Sequence, residues 1–223
     1  MRHRSCGYGK AYLLAVVGGN LSSSPIVFVD VNVIGRAGNK EGKYLSRYAA
    51  VPGDSIAVTG WLGGAAAGLE IARQKAPPDP MEIALRQAFS RPQPRLKEGL
   101  LLVEKGVKTG MDISDGLLAD LGHICQASRV SALIYLDQIP VQPVVKSRFG
   151  AGSTEMALSG GEDYQLLFTA KSDIVKEVQR HSDYPITIIG EIGELKTPAI
   201  RVVDRAGRDY LPGRTGWDHF KRK

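Results

Sequence analysis

The sequence predicts an α+β, or mixed α/β, protein. Three observations carry this. Apolar runs of strand length alternate along the chain with stretches of helical period. Gly, Pro and Ser clusters separate the two kinds of segment. No internal repeat is visible, so a solenoid or propeller is excluded.

In chain order, Leu13–Val17 is apolar and is followed by Gly18-Gly19-Asn20 and the turn-rich Leu21-Ser-Ser-Ser-Pro25. Over residues 25–34, Val29, Val31 and Val33 alternate with Asp30 and Asn32, which predicts a half-buried strand ended by Gly35. Two strands joined by a Gly-Gly loop need partners to cover them. Residues 37–50 are polar and basic, a linker or loop that holds Arg47. A domain boundary is therefore expected near residue 36, with 1–36 and 37–223 as separate units.

Residues 52–60 read as a turn and a strand, and Trp61 opens a small-residue helix running to about Lys75. Its glycines are similar to those of a phosphate loop but lack the Lys-Ser/Thr that grips phosphates, so close packing accounts for them better. Prolines 77, 78 and 80 break the chain before a short helix over 81–89. A further helix spans 96–105, and a strand leads to Asp112. Strands are expected over 130–136, 165–169, 186–192 and 200–203. Residues 172–180 read as a helix with Ser172 as N-cap. Residues 137–149, with Pro140 and Pro143, read as irregular.

Composition bounds the rest. With 43% hydrophobic and 23% charged residues, the chain is a globular protein and not a disordered one. The cysteines, Cys6 and Cys125, form no disulfide framework or zinc spacing, so a reducing cytoplasm is the expected compartment. No apolar run reaches membrane-span length, and the N-terminal Arg2-His3-Arg4 with its short apolar run lacks a cleavage site. The net charge of +6 is concentrated at the end, where residues 196–223 hold eight Lys/Arg against three Asp. No aromatic-interleaved nucleic-acid motif accompanies it, so neither a nucleic acid nor a membrane is an expected partner.

The chemistry centres on Thr109-Gly-Met-Asp-Ile-Ser-Asp-Gly-Leu117. From Leu117 the apolar residues fall at 117, 118, 121, 124 and 125, a helix with one buried stripe that includes Cys125. Ser114 fits its N-cap and Asp115 its first turn, where a carboxylate suits the positive helix end. Two carboxylates and a hydroxyl at such a place suit a phosphate, or a divalent cation carrying one. They equally suit an ordinary capped helix. Asp120 and Asp163 read as helix-surface and turn residues, and His123 as solvated on the polar edge of the helix.

Three segments then agree. Residues 110–121 (Gly-Met-Asp-Ile-Ser-Asp-Gly-Leu-Leu-Ala-Asp-Leu), Leu158-Ser-Gly-Gly-Glu-Asp-Tyr-Gln-Leu166 and the closing Gly216-Trp-Asp-His-Phe220 together resemble the thiamine-monophosphate kinase family. That family belongs to the superfamily of aminoimidazole ribonucleotide synthetase and selenophosphate synthetase. The likeness includes residues 17–25 and 47–60 and covers nearly the whole chain from Val16. It implies the C-terminal-domain fold of that superfamily, a mixed sheet covered by helices. It implies ATP- and Mg²⁺-dependent phosphorylation of thiamine monophosphate to thiamine diphosphate, by a homodimer.

Position by position, the resemblance implies Asp112 and Asp115 as magnesium ligands. It implies Gly19, Asn20, Arg47 and Ser114 as ATP contacts, and Glu162 and Trp217 as contacts to thiamine phosphate. Oxygen donors suit Mg²⁺, the Arg fork suits phosphate, and Trp can stack on a cationic thiazolium. Each also has a plainer reading: Arg47 on the surface, Glu162 in a turn, Trp217 as a packing anchor. The family carries Gly-Gly-Asp where this chain has Gly18-Gly19-Asn20, so a cation held there binds more weakly. The family also opens with a larger N-terminal domain, of which residues 1–36 resemble the last strands. The alternatives are therefore a non-catalytic nucleotide-binding remnant or a sister ATP-dependent synthetase.

Overall fold

The computed structural model describes residues 18–19, 23–35, 42–74, 79–197, 199–214 and 216. The chain divides into two compact units, Met1–Arg36 and Ala37–Lys223.

In the first unit, residues 23–35 carry no regular secondary structure. Val29, Val31 and Val33 are 75%, 73% and 77% exposed, so the strand expected here is absent. Period-2 alternation specifies a strand only where a neighbour takes up its N–H and C=O groups, and no described residue of this unit does so. The apolar run 13–17 and Asn20 lie outside the described residues.

The second unit is built on one sheet of six strands: β1 (Ser55–Thr59), β2 (Thr109–Asp112), β3 (Ser131–Tyr135), β4 (Leu166–Ala170), β5 (Ile186–Gly193) and β6 (Ile200–Val203). Their spatial order is β2-β4-β1-β5-β3-β6. Every neighbouring pair is antiparallel except β3–β6, which is parallel. Helices follow as α1 (Gly64–Arg73), α2 (Pro80–Ser90), α3 (Leu96–Glu104), α4 (Leu117–Ser128), α5 (Pro143–Phe149), α6 (Gly152–Ser159) and α7 (Ser172–His181). The mixed sheet covered by helices is the architecture the sequence predicts.

Alternation along the strands sorts the core onto two faces. Ile56 and Val58 of β1 and Leu167 of β4 join α1, α2, α4, α5 and α6 in the larger cluster. Ala57 of β1 and Phe168 of β4 face the other way, with Leu102 of α3 and Val175 and Val178 of α7. Burying one such side chain stabilises the fold by about 1.5–3 kcal/mol. Two layers of helices thus sandwich the sheet.

Local chemistry explains several element boundaries and three departures from expectation. Asp79 and Glu82 form a reciprocal capping box at α2, with Pro80 in its first turn. The stretch 137–149 is not wholly irregular. Pro143 occupies the first turn of α5, where its missing N–H is no loss, so it starts a helix. Residues 152–159 form α6, a helix the sequence reading does not include. Ser172 is the first residue of α7 and gives no side-chain cap, the cap position falling to Lys171.

Candidate functional site

The site begins with strand register. In the antiparallel β2–β4 pair, Asp112 stands opposite Leu166. The loop leaving β2 and the loop entering β4 therefore emerge side by side. These loops are the first two motifs, some fifty residues apart in sequence. Backbone hydrogen bonds lace them together: Ile113 N–H donates to Gln165 O (2.8 Å), Tyr164 N–H to Ile113 O (2.9 Å) and Glu162 N–H to Ser114 O (2.9 Å). The approach is too close for side chains, since a Cβ at Gly161 would lie 2.4 Å from Ser114 O.

The third motif arrives at the same place. A Cβ at Gly216 would meet Ala119 Cβ at 2.4 Å and Asp115 O at 2.9 Å, so Gly216 lies directly on the first turn of α4. Residues before it are tied to α6: Arg214 N–H donates to Glu155 Oε1 (2.8 Å) and Ser159 Oγ–H to Arg214 O (2.6 Å). Trp217 itself lies outside the described residues.

Two partly or fully buried carboxylates hold the two loops, and both read as peripheral in sequence. Asp120, 1% exposed, accepts the N–H groups of Ser114, Asp115 and Gly116 on a single oxygen, Oδ2, at 2.9, 3.1 and 3.2 Å. The cap position of α4 is Gly116, without a side-chain cap bond. Ser114 is therefore not the N-cap, and Asp120 is not a surface residue. The reason is geometric: Gly116 at φ +120° turns the loop so that its amides face back onto Asp120. Burial pushes the Asp120 carboxyl above its usual range, while the Asp115 and Ser114 N–H groups draw it back.

Asp163 crosses to a third element. Its Oδ2 accepts Gly63 N–H (2.7 Å) and its Oδ1 accepts Ala65 N–H (2.9 Å), at the start of α1. α1 has no side-chain cap of its own, so Asp163 takes that role from a hundred residues away. Burial pushes its carboxyl up to about 6, against the lowering effect of the Ala65, Gly63 and Gly64 N–H groups. The general signal for Asp163 was available: an acid beside two glycines in a turn is a ready acceptor for bare helix amides. Nothing in sequence points it at α1.

Negative charge gathers on the open side. Asp112 and Glu162 are exposed and Asp115 is half-buried. Tyr164 stands among them. Burial first raises its phenol, then the charge of Glu162 and a hydrogen bond to it, then the charges of Asp112 and Asp115. Glu162 and Tyr164 both hold left-handed backbones, φ +71° and +48°. Such conformations persist in non-glycine residues only where the surroundings fix them, and they cluster at functional sites. Sequence reading missed Tyr164.

The donor set fits a hard divalent cation. Asp112 and Asp115 offer carboxylate oxygens, the ligand type magnesium takes, and the charges of both raise the Tyr164 phenol between them and Glu162. Asp115, Asp120 and His123 also bring one ligand atom each within 4.8 Å of one another. Asp120 Oδ2 is already engaged by three amides, and His123 is exposed, as its position on the helix predicts. Asp112 and Asp115 are the better pair.

The structure thus assembles Asp112, Ser114, Asp115 and Glu162, with Gly216 beside them. Among the described residues no side-chain hydrogen bond or ion pair joins Arg47 to them. Ser128 Oγ–H, in the last residue of α4, donates to Arg47 O (2.9 Å). The preceding residue, Ser46, pairs with Thr109 at the start of β2, so the Arg47 backbone lies between the end of α4 and the strand that carries Asp112. Gly19 belongs to the first unit and is exposed.

Fold and site together define a class. Residues 51–203 match the family described as AIR synthase related protein, C-terminal domain, and the chain belongs to that family. Within it, the chain is similar to thiamine-monophosphate kinases. It is 35% identical to thiamine-monophosphate kinase of Aquifex aeolicus over 221 residues, which cover 97% of this chain and 66% of that relative. The crystal structure of thiamine-monophosphate kinase from Stenotrophomonas maltophilia K279a superposes with a TM-score of 0.66 at 35% identity, covering 73% of this chain and 54% of that one. AaThiL complexed with AMPPCP and TMP superposes with a TM-score of 0.69 at 34% identity, covering 80% of this chain and 55% of that one. The chain spans slightly under two thirds of its Aquifex relative.

Proposed function

We propose that this chain carries the C-terminal part of a thiamine-monophosphate kinase. The observation that supports it most is the meeting of three distant motifs, at Asp112–Asp115, Glu162 and Gly216, around one acidic opening. The reaction is transfer of the γ-phosphoryl group of ATP. An oxygen of the thiamine monophosphate phosphate forms the new P–O bond, the bond to the β-phosphate oxygen breaks, and ADP leaves. Such transfer depends mainly on positioning and charge neutralisation.

Asp112 and Asp115 hold magnesium, which when bound neutralises phosphate charge. Ser114 contacts ATP beside them. Glu162 accepts a hydrogen bond from the aminopyrimidine, and Trp217, next to Gly216, stacks on the thiazolium. The similar structure with AMPPCP and TMP bound supports ATP and thiamine monophosphate as the substrates. Arg47, Gly19 and Asn20 enter as ATP contacts on sequence resemblance alone. Residues 1–36 are read as the end of the N-terminal domain, in a cytoplasmic homodimer; no helix among the described residues is long and apolar enough to cross a membrane.

The test is substrate binding by calorimetry. The unaltered protein should take up thiamine monophosphate, and Trp217→Ala should weaken that uptake about tenfold while leaving AMPPCP untouched. Equal loss of both ligands would make Trp217 a packing residue.

A further inference from the structure

We infer that Asp163 is a positioning residue: by clamping the α6–β4 loop to the amino end of α1, its carboxylate fixes the direction of Glu162 and Tyr164. The role rests on the reading of Glu162 as a substrate contact given above.

Asp163 lies between the two strained residues of the site, Glu162 at φ +71° and Tyr164 at φ +48°. A left-handed backbone at a non-glycine residue is sterically costly. Two such residues flanking a third relax unless each is held. Here each is. Glu162 N–H is bound by Ser114 O and Tyr164 N–H by Ile113 O, both on the β2–α4 loop. The middle residue is held from the other side, by Gly63 and Ala65 of α1, through both carboxylate oxygens. Without that third anchor the triplet has support on one side only.

The surrounding packing leaves the clamp little play. A Cβ at Gly160 would stand 2.6 Å from Ala66 Cβ in α1. Gly63, at φ +83°, presses on α6, where its Cβ would meet Ala157 N at 3.1 Å. The amino end of α1 is therefore wedged between α6 and the loop, a fixed point from which Asp163 can aim its neighbours. A helix cap serving α1 alone would normally come from the residue just before the helix. That position is Gly63, which has no side chain to offer.

The experiment is amide hydrogen exchange on the full chain with Asp163→Ala and Asp163→Asn, paired with calorimetry. Asn keeps one acceptor oxygen of two and preserves the fold if Ala does not. Exchange at Glu162 and Tyr164 should rise at least tenfold in Asp163→Ala and by less in Asp163→Asn, with β1 and β5 amides unchanged. Thiamine monophosphate affinity should fall in the same order, with AMPPCP affinity within about twofold. Faster exchange confined to Gly63 and Ala65 would make Asp163 a helix cap only and overturn the inference. So would a uniform rise across the sheet in Asp163→Asn. If the unaltered protein binds no thiamine monophosphate, the proposed function fails, while the exchange at Glu162 and Tyr164 still decides the positioning role.

Discussion

Gly161 and Ser114 meet backbone to backbone. A Cβ on Gly161 would lie 2.4 Å from the Ser114 carbonyl oxygen, and the neighbouring Glu162 N–H donates to that same oxygen at 2.9 Å. The contact joins the two acidic loops, and only a residue without a side chain permits it. Gly161→Ala forces them apart. Overpacking of this kind costs about 1–3 kcal/mol, and a fall of that size in urea-unfolding stability is expected. A variant as stable as the parent would show that the loops separate freely.

Asp120 gives a second prediction. Its Oδ2 takes three amides of the loop that carries Asp115. Asp120→Ala strands three donors near a buried position, and each unsatisfied buried group costs about 1–3 kcal/mol. Solvent reaching the vacated space relieves part of this, so a loss of about 2–4 kcal/mol is expected. Asp120→Asn retains one acceptor and should lose less. The check is denaturant unfolding of both variants, and equal stability of Asp120→Ala and parent would refute the clamp.

Asp163 sets a pH dependence. Its folded pKa is raised to about 6 from an unfolded value near 4. The folded state thus holds the proton more tightly than the unfolded state. The stability this contributes is fully present below about pH 4 and is lost as pH rises through about 6, a span worth about 3 kcal/mol at most. Between pH 4 and 6 the stability difference between parent and Asp163→Asn should move in Asn's favour as pH rises. A flat difference over that range would mean the carboxyl is not raised.

Cys125 should be silent in the folded protein. It is 1% exposed on the core face of α4, and burial lifts its thiol to about 11. The thiolate is the reactive form. Timed labelling with a maleimide, followed by mass analysis, should show modification at Cys125 only on the timescale of unfolding.

Much of this was legible in the sequence. The stripe from Leu117 to Cys125 is the buried face of α4, and apolar runs of strand length marked β1, β3, β4, β5 and β6. Motif spelling brought Asp112, Asp115 and Glu162 forward as a set, and strand pairing puts their loops together. What sequence hid was anything that depends on a distant partner. Val29, Val31 and Val33 alternate like a strand, but no described residue pairs with them. Asp120 and Asp163 looked peripheral because their amide partners are supplied by loop geometry and by a helix a hundred residues away. Pro143 looked like a breaker because its place in the first turn of α5 depends on where the helix starts. Arg47 stands with the site by resemblance; its backbone is held by Ser128 at the end of α4 and, through Ser46, beside the start of β2.

Asp112 and Asp115 are the proposed holders of the metal that carries ATP. Calorimetric titration of the chain with AMPPCP, in Mg²⁺ and again in EDTA, tests this role directly, with Asp112→Ala as the control. Binding is expected in Mg²⁺, with loss in EDTA and loss in Asp112→Ala even with Mg²⁺ present. Binding of equal affinity in all three conditions would contradict it.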